Sequence, residues 1–224
     1  METSGRLQGG LPFFCSWSGG KDSCLALYRA IQDGGKPISL LTILSEDGVT
    51  SHSHALPKSL IEAQAKSLGL QPVFRSASWH QYQEEFILAL HEFKKAGMEV
   101  GVFGDIDVDA HREWVRRVCG VAGIVPIHPL WKRNRRELLQ EFIGLGFRAQ
   151  IVVINEKKLH KNFLGKTIEA QTITEMDKVG IDPSGELGEY HTVVTDGPIF
   201  SSRVEIKIGG EEHHEGYWFL KMDL

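Results

Sequence analysis

Cysteine is scarce in this sequence. Three cysteines (Cys15, Cys24 and Cys119) occur in 224 residues, and none stands in a C-x-x-C pair. That argues against a disulfide scaffold and against a cysteine-held zinc or iron–sulfur centre. Long apolar runs are missing too: no stretch approaches the ~18 consecutive apolar residues of a membrane span. Basic charge is not in excess, since 25 Lys and Arg against 29 Asp and Glu leave a net charge of −4. With no basic stripe, no dedicated nucleic-acid surface is expected. The opening METSGRLQGG lacks the charged-then-apolar pattern of an export signal, so the cytoplasm is the expected compartment. What remains is an ordinary globular composition, 42% hydrophobic and 24% charged. The length suits one large domain, or one domain with an appendage.

The hydrophobic pattern alternates between two periods. Leu11–Trp17 is a short, aromatic-rich apolar run stopped by Ser18-Gly19-Gly20, which predicts a buried strand and a tight turn. Lys21–Ile31 then carries Cys24, Leu25, Leu27, Tyr28 and Ile31 at helical spacing, closed by Gly34-Gly35. The rhythm repeats as strands over Ile38–Leu44, Pro72–Ser76 and Val100–Phe103. Helices are predicted from Pro57 to Gly69, over Gln81–Ala96 and over Val108–Cys119. Continuous apolar strands separated by helices mark a parallel sheet covered on both faces. Less regularly, Ile124–Ile127 reads as a strand, Arg135–Gly144 as a helix and Ala149–Ile154 as a further buried strand. Beyond that, Ile168–Val179 reads as a helix and Asp182–Gly188 as a Pro/Gly-rich loop. Thr192–Thr195, Ile199–Ile208 and Tyr217–Met222 read as antiparallel strands. The expected architecture is α/β: a Rossmann-like doubly wound parallel domain over residues 1–155, then a small α+β substrate-binding portion over 156–224.

In such a sheet, ligands bind beyond the carboxyl ends of the strands, where strand order reverses. The first strand, Leu11–Trp17, runs straight into Ser18-Gly19-Gly20-Lys21-Asp22-Ser23 and a helix. Glycines let the backbone approach a ligand, and the N–H groups opening a helix favour an anion. Ser18 and Ser23 add hydroxyls and Lys21 a point charge. A carboxylate at Asp22 would repel bare phosphate, so it suggests a divalent cation, Mg²⁺, bridging it to polyphosphate. The plainer alternative is a strand–helix turn capped by Ser18 or Asp22. The hexapeptide is neither Walker A nor the spaced-glycine dinucleotide fingerprint.

SGGKDS resembles the pyrophosphate loop of the N-type ATP pyrophosphatases, which cleave ATP between its α and β phosphates and adenylate a carboxylate or carbonyl oxygen. Four more motifs narrow the branch: Gly104-Asp105-Ile106, Pro129-Leu130-Trp131, Phe163-Leu164-Gly165-Lys166 and Gly185-Glu186-Leu187-Gly188-Glu189-Tyr190-His191-Thr192. With Asp196-Gly197-Pro198 after them, they make the chain similar to the diphthine–ammonia ligase family over residues 12–205. That resemblance implies an ATP-dependent ligase releasing AMP and pyrophosphate, with ammonia as nucleophile. The acceptor it implies is the diphthine of elongation factor 2, or another carboxylate. One segment departs from the pattern: Glu46–His54 is closer to a related branch, the adenine-nucleotide α-hydrolases, and this leaves the acceptor open.

On this reading Ser16, Ser18, Gly19, Gly20, Lys21, Asp22, Ser23, Gly104 and Asp105 bind nucleotide, and Asp22 holds the metal. Lys21, Asp22, Glu186 and Glu189 are the catalytic candidates. The two glutamates would hold ammonium or the cationic end of the acceptor, or else form a solvated acidic loop. Tyr190, His191 and Trp131 are expected at the substrate. His52 and His54 are expected in a mobile loop near the adenine, and Glu211–Glu215 in a solvated hairpin turn. The basic run Lys132–Arg136 reads as a solvated helix start, or as a steering patch for an acidic partner. The three cysteines read as core residues, and the chain is expected to be a homo-oligomer. Two rivals stay open: an adenylating enzyme of tRNA modification, and a nucleotide-binding regulatory module that never turns ATP over.

Overall fold

The structure, a computed structural model, describes residue 7 and residues 9–224; residues 1–6 and 8, on which the export-signal reading partly rests, lie outside the described residues. In chain order the elements are β1 (Pro12–Ser16), α1 (Lys21–Gln32), β2 (Lys36–Leu44), α2 (Lys58–Leu68), β3 (Gln71–Ser76), α3 (Tyr82–Lys95), β4 (Val100–Val102) and α4 (Asp109–Ala122). They continue as β5 (Val125–Ile127), α5 (Arg135–Gly144), β6 (Arg148–Asn155), a 3-10 turn (Lys161–Phe163), α6 (Ala170–Lys178), β7 (Tyr190–Asp196), β8 (Lys207–His214) and β9 (Tyr217–Asp223). Two compact units result. One comprises the described residues up to Ser18 with Asp22–Val49 and Leu70–Lys132; the other comprises Gly19–Lys21, Thr50–Gly69 and Arg133–Leu224.

The first unit is built on a five-stranded parallel sheet in the order β3-β2-β1-β4-β5. The order reverses between β1 and β4, so the crevice of a doubly wound sheet opens at the carboxyl ends of those two strands. Side chains alternate along β1, and both of its faces are buried. Phe14 joins Leu41 and Ile43 beneath Phe86, Leu90 and Phe93 of α3 and Val115 and Val118 of α4. Its ring stacks on Phe93 with centroids 4.4 Å apart. On the opposite face Cys15 Sγ lies 3.8 Å from the Ser23 carbonyl in the first turn of α1. All three cysteines are buried and free, as the sequence predicts. Burial pushes the Cys119 thiol up to about 12 and those of Cys15 and Cys24 well above the ordinary thiol range, so none supplies a thiolate.

The second unit carries a four-stranded antiparallel sheet in the order β7-β6-β9-β8. Two strands differ from the sequence reading. The apolar run Ala149–Ile154 lies in β6, and β6 pairs antiparallel with β7 and β9 instead of extending the parallel sheet. A strand covered on both faces shows the same continuous apolar run in either kind of sheet. The stretch Ile199–Ile206 is irregular, because its backbone finds other partners. Ser201 and Ser202 bond to Ser67, and Val204 N–H donates to the Thr195 carbonyl. The strand forms downstream, at the exposed and polar Lys207–His214, paired with β9. Glu211–His214 is therefore strand, and the hairpin turn is confined to Glu215 and Gly216, both at positive φ. No helix among the described residues is long and apolar enough to cross a membrane.

Candidate active site

The loop from β1 to α1 is fixed at both ends within the first unit. Trp17 N–H donates to the Leu41 carbonyl at 2.8 Å, and Thr42 Oγ1 donates to the Trp17 carbonyl at 2.7 Å. The Ser18 and Ser23 hydroxyls lie 3.1 Å apart across the loop. Ser16 closes β1 half-buried beneath it, and Asp22 sits in the first turn of α1. Gly104 follows β4 at the other side of the crevice. A Cβ there would come within 2.9 Å of the Asp22 carbonyl carbon and the Ser23 nitrogen. Only glycine lets the exit of β4 lie against the opening turn of α1. Ser18, Asp22, Ser23 and Gly104 are thus brought together at the reversal of strand order.

Asp105, next along the chain, sits between two imidazoles. Its Oδ2 is 3.4 Å from Nδ1 of His128, and its Oδ1 is 3.7 Å from Nδ1 of the exposed His111. His128 directly follows β5, its side chain is 5% exposed, and neither ring nitrogen has a hydrogen-bond partner. Phe103 and Trp131 flank the His128 ring at 5.5 and 6.0 Å between centroids. Trp131 itself lies beneath the guanidinium of Arg112 at 4.5 Å and the ammonium of Lys132 at 4.9 Å. His128 was not singled out from the sequence. A titratable residue immediately after a strand, at the ligand edge of the sheet, is the signal that marks it.

The middle of the loop, Gly19–Lys21, packs within the second unit. Gly19 has φ +80° and its carbonyl accepts from Val194 N–H of β7 at 2.9 Å. The amide of Gln64, wholly buried on α2, donates to the Gly19 carbonyl at 2.9 Å and to the Val194 carbonyl at 2.7 Å. Lys21 N–H donates to Thr192 Oγ1 at 3.1 Å, and Lys21 Nζ lies 5.7 Å from the centre of the Tyr190 ring. His54 completes the clamp: Nδ1 is 2.8 Å from the Thr192 carbonyl, and its ring is 4.7 Å from that of His191. Since a carbonyl only accepts, Nδ1 carries the proton and Nε2 is left as an acceptor. The loop carrying His54 is closed by two hydrogen bonds between Ser51 and Leu56, from Ser51 N–H to the Leu56 carbonyl and from Leu56 N–H to the Ser51 hydroxyl. Gln64 was not singled out from the sequence, and the signal for it is a polar residue on the apolar face of α2 one turn after Leu60; Thr192 and His54 stand in segments the sequence marks, but nothing there pairs them with Gly19–Lys21.

Two predictions follow from this packing. A Cβ on Gly20 would lie 2.2 Å from His54 Cε1 and 3.1 Å from the Thr192 carbonyl, so the Gly20→Ala protein must move one or the other. It should lose about 1–3 kcal/mol of stability, the usual cost of overpacking, which a denaturant melt reads directly. Burial, with the charge of Lys21, also pushes the His54 imidazole down to about 4. The unfolded chain binds a proton there near pH 6.5 while the folded chain does not. His54's contribution is complete above about pH 6.5 and is lost as pH falls towards 4. Melting temperatures of wild type and His54→Gln across that window should converge on acidification.

The acidic loop before β7 holds itself together. Tyr190 is buried, and its hydroxyl donates to the Pro183 carbonyl at 2.5 Å while its ring packs on Gly185. Glu189 is 4% exposed, and its carboxylate accepts from Leu187 N–H at 3.0 Å. Glu186 N–H donates to the Ser184 hydroxyl, which donates to Asp182. Asp182 is paired with Arg135, and these donors hold its carboxyl below the usual range against the opposing effect of burial. Two more residues of the basic run are in such pairs: Arg136 meets Asp177 at 2.6 Å, and Lys132 meets Asp109 at 3.1 Å. Asn134 caps α5 by accepting from the N–H groups of Arg136 and Glu137. A helix start is what this stretch makes. Among the described residues no group of three or more His, Cys, Asp or Glu is arranged to hold a metal ion, including the strand containing His213 and His214.

The model of the diphthamide synthase N-terminal domain matches residues 14–126, and that of the diphthamide synthase C-terminal domain matches residues 134–223. The diphthine–ammonia ligase of Rattus norvegicus is 26% identical over 214 residues, covering 84% of this chain and 80% of that protein. The diphthine–ammonia ligase of Danio rerio is 28% identical over 214 residues, covering 84% of each. A solved structure described as a predicted subunit of a tRNA methyltransferase from Methanocaldococcus jannaschii aligns with TM-score 0.47 and 17% identity, over 82% of this chain and 96% of that one. That last likeness is too loose to carry any argument. The two domain models between them match most of the chain and meet where the crevice-bearing sheet gives way to the antiparallel one: this chain belongs to the diphthamide synthase family.

Proposed function

We propose that this chain is an ATP-dependent amide-forming ligase that uses ammonia as its nucleophile. The observation that carries the reading is the SGGKDS loop at the strand-order reversal, in a chain of this family. ATP enters as its magnesium complex. Mg²⁺ commonly keeps several waters and takes one or two protein carboxylates plus phosphate oxygens, and Asp22 in the first turn of α1 is of that donor type. Ser18, Gly19, Gly20 and Ser23 offer hydroxyls and N–H groups to phosphate oxygens, Lys21 neutralises charge, and Ser16 and Gly104 shape the crevice. The acceptor carboxylate attacks the α-phosphorus and pyrophosphate leaves. Ammonia then attacks the acyl carbon, and AMP leaves with the former carboxylate oxygen.

The relatives' name, diphthine–ammonia ligase, supports diphthine as the acceptor, and the group to be amidated is that of elongation factor 2 or of a small carboxylate. Residues 156–224 serve the acceptor. Glu186 and Glu189 offer negative charge to its cationic part or to ammonium, with Tyr190 anchoring that loop. His191 and Trp131 are further substrate contacts. The protein acts in the cytoplasm, as a homo-oligomer, without a nucleic-acid surface. Incubation with ATP, ammonium and diphthine-bearing elongation factor 2 should yield AMP and amidated factor in equal amounts. Formation of ADP, or AMP formation that ignores both ammonium and acceptor, would overturn the proposal.

A further inference from the structure

Trp79 is 73% exposed, more than any other large apolar side chain among the described residues. It stands at the ligand edge of the parallel sheet, in the turn between β3 and α3. A lone exposed apolar residue needs no explanation, but Trp79 is the outer end of an aromatic group rooted in the core. Its ring stacks on Tyr82 at 5.9 Å between centroids, and Tyr82 stacks on the buried Phe86 at 6.2 Å. Trp114 of α4 closes the group, 5.8 Å from Tyr82 and 5.1 Å from Phe86. The turn itself is pinned: Gln81 N–H donates to the Ser78 carbonyl, and the Ser78 hydroxyl donates to Gln81 Oε1 at 2.9 Å. An indole held this way has less side-chain entropy to lose on binding.

The charges around the group are mostly negative. Burial, helped by the charge of Asp105, pushes the Tyr82 phenol up to about 12. Glu84 and Glu85 stand in the first turn of α3. Glu46 and Asp47 are exposed in the loop after β2, which also exposes Val49. That loop lies beside the end of β3, since a Cβ on Gly48 would be 3.3 Å from the Ser76 hydroxyl. Against these acids stand His80, exposed in the same turn, and Arg117, which with Trp114 donates to Gln83 Oε1 at 3.2 Å. An aromatic face bordered by carboxylates attracts a cation.

We infer that this surface docks a basic segment of a protein acceptor, with a lysine or arginine side chain of that segment laid on the face of Trp79. The inference rests on the ligase reading and narrows it: the acceptor is a protein, not a small carboxylate. A small carboxylate needs no anchor outside the crevice. A protein must be held by surface beside the crevice while its own carboxylate enters, and an exposed, pre-positioned tryptophan is the residue type that supplies most in such contacts. Trp79 follows β3, two strands from β1 and so about 10 Å across the sheet. That separation fits within the roughly 800 Å² that a standard interface takes from each partner.

The probe is diphthine-bearing elongation factor 2, its binding followed by calorimetry and its amidation by steady-state kinetics. Trp79→Ala should keep the wild-type melting temperature, kcat, and KM for ATP and ammonium. Its Kd and KM for the factor should rise at least about 10-fold, and Trp79→Phe, which keeps an aromatic face, should recover most of that loss. Added salt should weaken the wild-type complex, and the double variant Glu46→Gln/Glu84→Gln should flatten that dependence. If Trp79→Ala fails to fold, the charge variant still decides. No binding of the factor by the wild type, an unchanged Kd in Trp79→Ala, or an unchanged salt dependence in the double variant would overturn the inference. A raised KM for ATP in Trp79→Ala, with the factor bound as before, would overturn it too and assign the indole to the nucleotide. Any of these results with amide formation intact removes the docking surface alone. Binding of the factor through Trp79 without AMP formation under any condition removes the ligase reading instead.

Discussion

Replacing Asp22 with Asn is expected to reduce magnesium-dependent ATP cleavage on the order of 10³-fold while leaving the melting temperature almost unchanged. Asp22 lies in the first turn of α1, where a negative side chain suits the helix dipole, and Asn retains most of the polar character of that position. The fold therefore loses only tenths of a kcal/mol. The chemistry loses much more. On the proposed reading, neutralising the one carboxylate of the loop would remove the protein's anchor for the metal, and the charge developing on the departing pyrophosphate would be poorly compensated. Single-turnover cleavage of ATP at saturating magnesium reads the effect. Normal turnover by Asp22→Asn would return the loop to a structural turn.

The second large effect is expected at the acidic loop. Glu189 is buried with Leu187 N–H on its carboxylate, and Gln keeps an oxygen for that bond while removing the charge. Nucleotide affinity should change little in Glu189→Gln and Glu186→Gln, whereas amide formation should fall on the order of 10²-fold, the scale for one positioned electrostatic or acid–base group. If Glu189 only closes its loop, Gln at that position should amidate at nearly full rate. If ATP binding is lost as well, the loop serves the nucleotide and not the acceptor.

The parallel sheet was legible because its strands are short apolar runs punctuated by glycine and proline, and its helices carry clean 3.6-residue spacing. The five strands up to Ile127 appear where the pattern places them. Pattern reading fails where pairing, not periodicity, makes the strand. The β8 residues Lys207–His214 are all exposed and carry no alternation, yet β9 recruits them. Ile199–Ile206 is apolar enough to look like a strand but bonds elsewhere. The site divides the same way. SGGKDS is contiguous, so its residues announce themselves together. The clamp on its middle is assembled from His54, Gln64 and Thr192, which are far apart in sequence. The His128–Asp105 pair likewise joins the ends of two neighbouring strands. Such groups become visible only when burial and partners are known.

The claim that the SGGKDS loop serves adenylation is tested most directly by following an oxygen atom. The acceptor, diphthine-bearing elongation factor 2, is prepared with ¹⁸O in the carboxylate to be amidated, and reacted with ATP and ammonium. The expected result is AMP carrying one ¹⁸O per amide formed, with unlabelled pyrophosphate. Unlabelled AMP, or ADP with labelled inorganic phosphate, would show that the carboxylate never attacks the α-phosphorus and would contradict the account.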